Sequence, residues 1–506
     1  MFKFIDNFLN KITMYSITLY SLLFLWCVGL ILNVFKVLHY NPVDFIITGV
    51  LIFSFCFLVN YIFSLIFKVP SNSESVYITA LILALIISPS KPFNNLDFIF
   101  FASLISVASK YVFAINKKHI FNPAALGVFI TSLMFDKYAS WWTGTFYMAP
   151  FVLIVGFLIV RKLQREGLVL SFIITSVSLI LINGIIYDKD ILFLLKQLVI
   201  DSPLIFFATI MLTEPMTTPP KKNLRVMYGS MVGILFVPFF NIAGFYFSPE
   251  LALLTGNIFS YLVSPKQKII LTLKEKIKSA NNVYDFIFEP SKKFNFIPGQ
   301  YMEWTLWHKV HDQRGIRRYF TVASSPTEKD VILGVKFYEK PSSYKKTMDS
   351  MKVGDKIIAG QLAGDFTLPK DKNKKLVFLA GGIGVTPFRS IIKYLLDKKE
   401  KREIVMYYSN KSFADIAYED IFLEAEKELG IKTIHVLNDE NGVPENFSFK
   451  KGPINMGMIK KDIPDYKERI FYISGPKAMV DSFKLALKEL GVKKSNIKTD
   501  FFPGFT

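Results

Sequence analysis

The feature that most constrains this chain is a change in composition near residue 264. Residues 14–264 consist of long apolar runs separated by short polar loops, whereas residues 265–506 have the mixed composition of a water-soluble protein. Apolar runs of about 20 residues are long enough to cross a bilayer as helices. The sequence therefore predicts a polytopic α-helical membrane domain over residues 1–264, followed by a soluble module.

Apolar runs that are candidate membrane spans recur throughout the first half, and several are shorter than a full crossing requires. With the N-terminus inside, the inner loops carry more Lys and Arg than the outer loops. This bias predicts a multi-pass protein of the cell membrane whose N-terminus and C-terminal module both lie in the cytoplasm. The predicted spans, about ten in number, are 14–35, 43–67, 76–88, 97–115, 122–135, 147–162, 168–186, 198–213, 224–240 and 248–263.

Two pairs of short apolar segments resemble each other at similar spacings. TALILALIISPSKPFN (79–94) resembles ATIMLTEPMTTPPKKN (208–223), and NPAALGVFITSLMF (122–135) resembles SPELALLTGNIFSY (248–261). An odd number of predicted spans separates the copies, which predicts an inverted repeat with broken helices and a binding site near the bilayer midplane. Asn122 is expected to line that site. In the alternative interpretation, Asn122 only caps an ordinary helix that begins with Pro.

One family of membrane proteins resembles this half of the chain. The resemblance rests on HIFNPAALG (119–127), on TEPMTTPP (213–220) and on the predicted span plan. The family comprises the membrane subunits designated B in the sodium-translocating NADH:quinone oxidoreductase and D in the Rnf complex. The resemblance implies a flavin, FMN or riboflavin, bound within the membrane domain.

Many members of that family also carry FMN attached covalently to Thr in a Ser-Gly-Ala-Thr motif. The corresponding loop here offers Thr143 and Thr145 around a glycine but lacks the motif, so covalent attachment is not favoured. The alternative interpretation is a plain loop whose Trp141 and Trp142 lie at the headgroup level.

The soluble module is predicted to contain two domains. Residues 265–370 alternate like the strands of a small antiparallel barrel, and residues 371–506 alternate between strands and helices. KLVFLA (375–380) is a continuous apolar strand, as a parallel sheet requires. AGGIGVTPFRSII (380–392) turns from that strand into a helix, where glycines let the backbone approach a ligand and free amides suit phosphate.

The segment RRYFTVAS (317–324) has the residue types that a flavin dinucleotide needs. An Arg can neutralise a diphosphate, an aromatic ring can stack on a flat ring, and hydroxyls can bond to ring or phosphate oxygens. PSSYKK (341–346) adds hydroxyls and amides beside basic residues. Each segment alone is compatible with a surface loop.

Together these motifs resemble the ferredoxin–NADP reductase superfamily across residues 265–505. The resemblance implies an FAD-binding barrel (265–370) followed by a nicotinamide-dinucleotide domain (371–506). Ser474 and Asp500 stand where Cys and Glu are common, and with Thr386 they are the candidate catalytic residues that position the nicotinamide. The residues implied to bind FAD or the dinucleotide are Pro298, Gly299, Gln300, Arg318, Tyr319, Phe320, Thr321, Ser324, Ser342, Ser343, Gly381, Gly382, Gly384, Thr386, Pro387, Gly475, Pro476 and Phe502.

The turn YYSNKSFADI (407–416) bears on the choice of nicotinamide cofactor. It resembles the Asn-containing turn of NADH-using cytochrome and nitrate reductases, which favours NADH. Lys411 could instead meet the 2′-phosphate of NADPH.

Charge and metal ligands exclude several classes of function. The net charge is +19, but the Lys and Arg residues are spread over both halves, so no nucleic-acid partner is expected. Two cysteines and five scattered histidines do not predict a zinc site, an iron–sulfur cluster or an intramembrane bis-histidine haem. No metal is predicted, and the electron carriers are expected to be organic.

The favoured function is a membrane-bound NAD(P)H dehydrogenase. Electrons would pass from cytoplasmic NADH through FAD and a membrane flavin to a quinone or an extracytosolic redox carrier. One alternative is a redox-driven ion-translocating subunit of a larger complex with other redox subunits, for which Asp201 and Glu214 are candidate intramembrane groups. Another is a ferric reductase-like transmembrane protein, which the few histidines disfavour.

Overall fold

The computed structural model describes residues 3–10, 12–67, 73–89, 91–115, 118–242, 245–264, 268–308, 312 and 315–500. The chain forms two compact units that divide between Lys266 and Gln267. The first unit is built mainly from apolar helices, and the second is built around two six-stranded sheets.

In its described residues, the first unit consists mainly of apolar helices and two very short hairpins. The helices are α1 (Lys3–Asn10), α2 (Met14–Val34), α3 (Pro42–Phe67), α4 (Ser73–Ile86), α5 (Leu96–Val112), α6 (Pro123–Phe135), α7 (Ala149–Leu163), α8 (Glu166–Ile186), α9 (Ile191–Val199), α10 (Leu204–Met211), α11 (Lys222–Phe236) and α12 (Pro249–Val263). The hairpins pair β1 (Ala114–Ile115) with β2 (Lys118–His119) and β3 (Asn241–Ile242) with β4 (Phe245–Tyr246).

Within the described ranges, three helices are long and apolar enough to cross a membrane, namely α2, α3 and α8. A fourth span results if α9 and α10, which meet at 54°, count as one broken helix. The prediction of about ten spans is therefore wrong. Helices such as α4 and α6, with 14 and 13 residues, reach only about 20 Å, against a hydrocarbon core of roughly 30 Å.

The short helix α4 ends inside the unit, and a following segment satisfies its last carbonyl groups. The backbone amide of Trp141 donates to Ile86 O (3.0 Å), and the indole of Trp142 donates to Ala84 O (3.0 Å). The hydroxyl of Thr143 donates to Leu85 O (3.2 Å). A buried helix end needs such donors, because its last carbonyls have no partners within the helix.

Both tryptophans of that segment are buried, with exposures of 7% for Trp141 and 2% for Trp142. Both indoles therefore lie inside the unit, where Trp142 packs against Phe45 and supports a helix end, and their depth in the bilayer stays a prediction. Thr143 is likewise buried and committed to α4, which leaves its hydroxyl unsuited to carrying a covalent flavin.

The element order of the first unit repeats. A helix, a two-strand hairpin and a helix that begins with Pro occur as α5–β1–β2–α6 and again as α11–β3–β4–α12. Asn122 caps α6 by accepting from the amide of Ala125 (3.0 Å), and Ser248 caps α12 by accepting from the amide of Leu251 (3.3 Å). The similarity of 122–135 to 248–261 is thus matched by a repeated order of elements. The similarity of 79–94 to 208–223 and the opposite orientation of the two halves stay predictions.

The second unit begins with an antiparallel half barrel of strand order β8-β7-β10-β5-β6-β9. Its outer strands are bridged where Ala323 N donates to Ile332 O (2.9 Å). Inward side chains such as Phe286, Trp304 and Leu333 form its core. The strands are β5 (Ile269–Ala280), β6 (Val283–Pro290), β7 (Tyr301–Thr305), β8 (Arg317–Thr321), β9 (Val331–Lys336) and β10 (Lys356–Ala363), with helix α13 (Ser343–Asp349) before β10.

A parallel sheet of order β14-β13-β12-β11-β15-β16 follows in the same unit. Its central strand β11 is buried along its whole length, as the apolar run KLVFLA predicts. The strand order changes direction between β11 and β15, and sheets of this kind bind ligands at that point. The elements are β11 (Leu376–Gly381), α14 (Thr386–Asp397), β12 (Ile404–Asn410), α15 (Glu419–Leu429), β13 (Lys432–Leu437), β14 (Phe449–Lys451), α16 (Met456–Asp462), β15 (Ile470–Ser474), α17 (Lys477–Glu489) and β16 (Ile497–Asp500).

Candidate functional site

The predicted flavin motif occupies β8, at one edge of the half barrel. The guanidinium of Arg318 lies 5.0 Å from the ring centre of Tyr344, and the ring of Phe320 lies 6.1 Å from the same tyrosine. Tyr344 follows Ser342 and Ser343 directly, so the structure brings the two predicted FAD segments together. Tyr344 itself is fully buried and was missed by the sequence reasoning.

The hydroxyls of Ser342 and Ser343 are engaged by neighbouring protein groups. Ser342 caps α13 by accepting from the amide of Lys345 (3.3 Å). The amide of Ser343 donates to Asp312 Oδ2 (3.0 Å), its hydroxyl accepts from the amide of Asp312 (3.0 Å), and His308 Nε2 lies 3.2 Å from that hydroxyl. Asp312 and His308 therefore shape this loop, although no sequence motif pointed to them.

Pro298, Gly299 and Gln300 form a turn that supports the end of β8. Gly299 has φ +88°, and a Cβ there would lie 2.1 Å from Phe366 O, so only glycine fits. The side-chain oxygen of Gln300 accepts from Ile297 N (2.8 Å), and its carbonyl accepts from Val322 N (3.0 Å). The predicted role of Gln300 in cofactor binding is thus joined by a role in holding the turn.

Tyr319 and Ser324 point to neighbouring protein groups. Tyr319 donates its hydroxyl to Glu303 Oε2 (3.1 Å). The hydroxyl of Ser324 accepts from Ile332 N (3.0 Å), and its carbonyl accepts from the hydroxyl of Ser390 (2.7 Å). Ser324 is fully buried, so it fixes the segment after β8 rather than presenting a free hydroxyl.

A hydrogen bond joins the flavin motif to the last strand of the dinucleotide sheet. Thr321 at the end of β8 donates to Asp500 Oδ2 (3.1 Å) at the end of β16. In the sheet, Asp500 lies beside Ser474, and Ser474 lies beside Ala380. Burial raises the pKa of Asp500 to about 7, and its hydrogen bond with Thr321 opposes that rise. Phe502 lies outside the described residues.

The glycine-rich loops that follow β11 and β15 are packed backbone to backbone. A Cβ at Gly384 would lie 2.6 Å from the Cα of Gly475 and 2.6 Å from Ser474 O. A Cβ at Gly381 would lie 3.1 Å from Pro476. Gly382 has φ +52° and open space in front of it, so this cradle can admit a ligand close to the backbone.

The helix α14 begins directly after this loop, with Thr386 and Pro387 in its first turn. Thr386 is largely buried, and its hydroxyl donates to Ile383 O (3.2 Å). Pro387 has no backbone N–H group, but no hydrogen bond is lost, because the first N–H groups of a helix have no partner within the helix. The predicted dinucleotide residues are therefore assembled at the ligand-binding end of the sheet, and the cradle fits a dinucleotide phosphate.

A second candidate site lies in the first unit, around Asn122. Its side-chain amide donates to Glu214 Oε2 (2.9 Å), and its backbone amide donates to Asn257 Oδ1 (2.7 Å). Glu214 Oε1 lies 3.1 Å from His119 Nε2, and Glu214 Oε2 accepts from the hydroxyl of Thr217 (3.1 Å). Asn122 is thus both a helix cap and a member of a polar network among apolar helices.

Part of the predicted dinucleotide domain matches a known protein family. Residues 378–484 match the family described as "Oxidoreductase NAD-binding domain". The chain is 27% identical to flavohemoprotein A from Dictyostelium discoideum, over 46% of this chain and 59% of the relative. It is 30% identical to the subunit designated F of the Na(+)-translocating NADH-quinone reductase from Serratia proteamaculans, over 39% of this chain and 51% of the relative. A cytochrome P450 reductase from Amycolatopsis aligns with a TM-score of 0.42 at 24% identity, over 47% of this chain and 70% of that chain.

The chain spans between 51% and 59% of the length of these two curated relatives. The resemblance of the N-terminal half to a membrane family stays a prediction. Residues 378–484 lie within the predicted nicotinamide-dinucleotide domain and match an oxidoreductase NAD-binding domain. The FAD- and NAD(P)H-dependent activity of the chain is a proposal.

Proposed function

We propose that the chain is a membrane-bound NAD(P)H dehydrogenase that takes electrons from cytoplasmic NADH through FAD. The observation that carries this proposal is the hydrogen bond from the Thr321 hydroxyl to Asp500. It joins the flavin motif to the dinucleotide sheet beside Ser474. When bound, the nicotinamide supplies a hydride and the flavin accepts it. The protein aligns the two rings, with Ser474 and Thr386 at the nicotinamide end and Arg318 at the FAD diphosphate.

The proposed cofactor is NADH rather than NADPH. Asn410, at the end of β12, is buried, whereas the side chain of Lys411 next to it is exposed. A buried amide suits a ribose hydroxyl, while discrimination in favour of a 2′-phosphate calls for a cation held in place.

The proposed route continues through the membrane unit to a quinone or an extracytosolic carrier, through FMN or riboflavin held near Asn122. The apolar helices α2, α3 and α8 and the Asn122 network support this part. A polar network among apolar helices is expensive to bury, and such groups commonly mark a functional site.

Oriented vesicles test this function. We expect NADH added on the side of the reductase to reduce an impermeant acceptor on the opposite side, with a flavin spectrum and no haem Soret band. If added quinone is reduced while the impermeant acceptor stays oxidised, transmembrane delivery is ruled out and quinone remains the proposed acceptor. Absence of NADH oxidation with either acceptor would overturn the dehydrogenase itself.

We expect Asn122→Ala to lower the flavin content of the membrane unit as well as its stability. The lost cap alone costs about 1 kcal/mol, and the variant also removes the donor to Glu214. Ser248→Ala is the matched control, because Ser248 caps α12 after the same pattern. Flavin is extracted before and after acid precipitation and counted per chain. If both variants lose stability and both keep their flavin, Asn122 is only a helix cap.

A redox-driven ion-translocating subunit is the second candidate function. The observation that favours it is the carboxylate of Glu214, held by His119, Asn122 and Thr217 between apolar helices. Uptake of sodium or protons by vesicles in step with NADH turnover would support it. NADH oxidation at an unchanged rate without ion uptake would eliminate it.

A further inference from the structure

Two side chains outside the predicted site join the half barrel to the dinucleotide domain. Asp285 lies on β6 of the barrel, and Tyr418 lies just before α15. We propose that this pair consists of positioning residues that set where Thr386 stands relative to the flavin motif, and so control the rate of hydride transfer. This inference rests on the proposed function.

The contact between the pair is short and partly buried. The hydroxyl of Tyr418 donates to Asp285 Oδ1 at 2.6 Å, and Tyr418 is 8% exposed. Tyr418 has φ +64°, in the left-handed region that a bulky residue rarely adopts. The surrounding structure holds this unfavourable backbone, and the result is a phenol aimed across the domain boundary at a carboxylate.

Gly334 shows how the pair reaches the dinucleotide loop. A Cβ at this glycine of β9 would lie 2.5 Å from the hydroxyl oxygen of Tyr418, 2.8 Å from Cγ2 of Thr386 and 3.2 Å from Asp285 Oδ1. The barrel backbone therefore touches the pair and Thr386 at one point. Because packed interiors transmit small displacements, a shift of Tyr418 is passed to Thr386.

A second connection fixes the same helix to the flavin motif. Arg389 on α14 donates to Ala323 O (3.1 Å), and its Nη2 donates to Glu328 Oε1 (2.9 Å). Its guanidinium lies 5.7 Å from the ring centre of Tyr418. The next residue, Ser390, donates to Ser324 O. The helix that begins with Thr386 is thus tied to the segment after β8, and Tyr418 packs on that connection.

The environment of Asp285 makes this carboxyl depend on the hydrogen bond from Tyr418. Burial raises the pKa of this carboxyl, and the hydrogen bond from Tyr418 and the charge of Arg389 oppose that rise. A partly buried carboxyl that loses a donor must rearrange or find another partner. Loss of the Tyr418 hydroxyl is therefore expected to move the groups that surround Gly334.

Rapid mixing of the full chain, loaded with FAD, with NADH tests the inference. We expect Tyr418→Phe and Asp285→Ala to slow flavin reduction at saturating NADH by ~10-fold, since sub-ångström misplacement of reacting groups costs rate. The apparent affinity for NADH and the FAD content should stay near those of the parent protein. Asp285→Asn keeps an oxygen that accepts from Tyr418 and should restore the rate.

Tyr407→Phe is the matched control. Tyr407 is a buried tyrosine of the same domain whose hydroxyl donates to Asp462 Oδ2 (2.7 Å), between β12 and α16. Its loss should reduce stability and leave the rate of flavin reduction unchanged. Parent-like rates for Tyr418→Phe, or equal slowing by Tyr407→Phe, would overturn the inference. Failure of the parent protein to reduce flavin with NADH would instead overturn the proposed function.

Discussion

Gly384→Ala is expected to lower kcat/KM for NADH by ~100-fold or more, because an ångström of misplacement is enough for a loss of that size. The added methyl would lie 2.6 Å from both the amide nitrogen and the Cα of Gly475, and 2.6 Å from Ser474 O. All three neighbours are backbone atoms, so no flexible side chain can move aside. The loops after β11 and β15 must separate, and both carry predicted dinucleotide residues.

The measurement is steady-state NADH oxidation with a soluble acceptor, together with FAD content and unfolding temperature. Gly457→Ala is a suitable control, since its methyl would meet only the side-chain oxygen of Asn455, at 3.1 Å, in α16 of the same domain. FAD should remain bound in both variants, because the flavin motif lies on the barrel. A Gly384→Ala protein with normal kcat/KM would show that these loops do not hold the dinucleotide.

The second large effect is a dependence of stability on pH that comes from Asp500. Its pKa is raised from an ordinary value of 3.8 to about 7, chiefly by burial. Between these two values the folded protein keeps a proton that the unfolded chain has released. The free energy of unfolding therefore falls as the pH rises from about 4 to about 7, by up to ~4 kcal/mol for a shift of this size.

Asp500→Asn should remove this dependence, because the amide stays neutral and can still accept from Thr321. Thermal unfolding followed by flavin fluorescence between pH 5 and pH 8 would show it. Asp465→Asn is the contrasting control. Arg469 lowers the pKa of Asp465 to about 2, so that group does not titrate in the same window. Parallel pH profiles for the parent protein and Asp500→Asn would contradict the assignment.

The parts of the fold that follow from local pattern were predictable from the sequence. The apolar run of β11 predicts a buried parallel strand, and the glycines after it predict that the backbone approaches a ligand closely. The resemblance carried by RRYFTVAS (317–324) and SGP (474–476) predicted which other loops belong to the site. The structure brings Thr321, Ser474 and Asp500 together. Each of these features is short in sequence and carries its own chemistry.

Features that depend on long-range packing were not predictable. Apolar composition does not say where a helix stops. It therefore predicts membrane spans at α4 and α6, which are too short for a full crossing. Trp141 and Trp142 look like interfacial residues by type, but their burial depends on a helix end more than 50 positions away. The pair of Asp285 and Tyr418 joins residues 133 positions apart and matches no motif.

The segment that supports the end of α4 also decides how the topology of this protein can be mapped. A cysteine or an epitope placed at residues 141–143 would disturb the donors to Ala84, Leu85 and Ile86 and would be inaccessible to an impermeant reagent, because all three residues are buried. Labelling there would report a folding defect rather than a side of the membrane. The exposed turn at residues 187–190, between α8 and α9, offers a reporter position that leaves the interior intact.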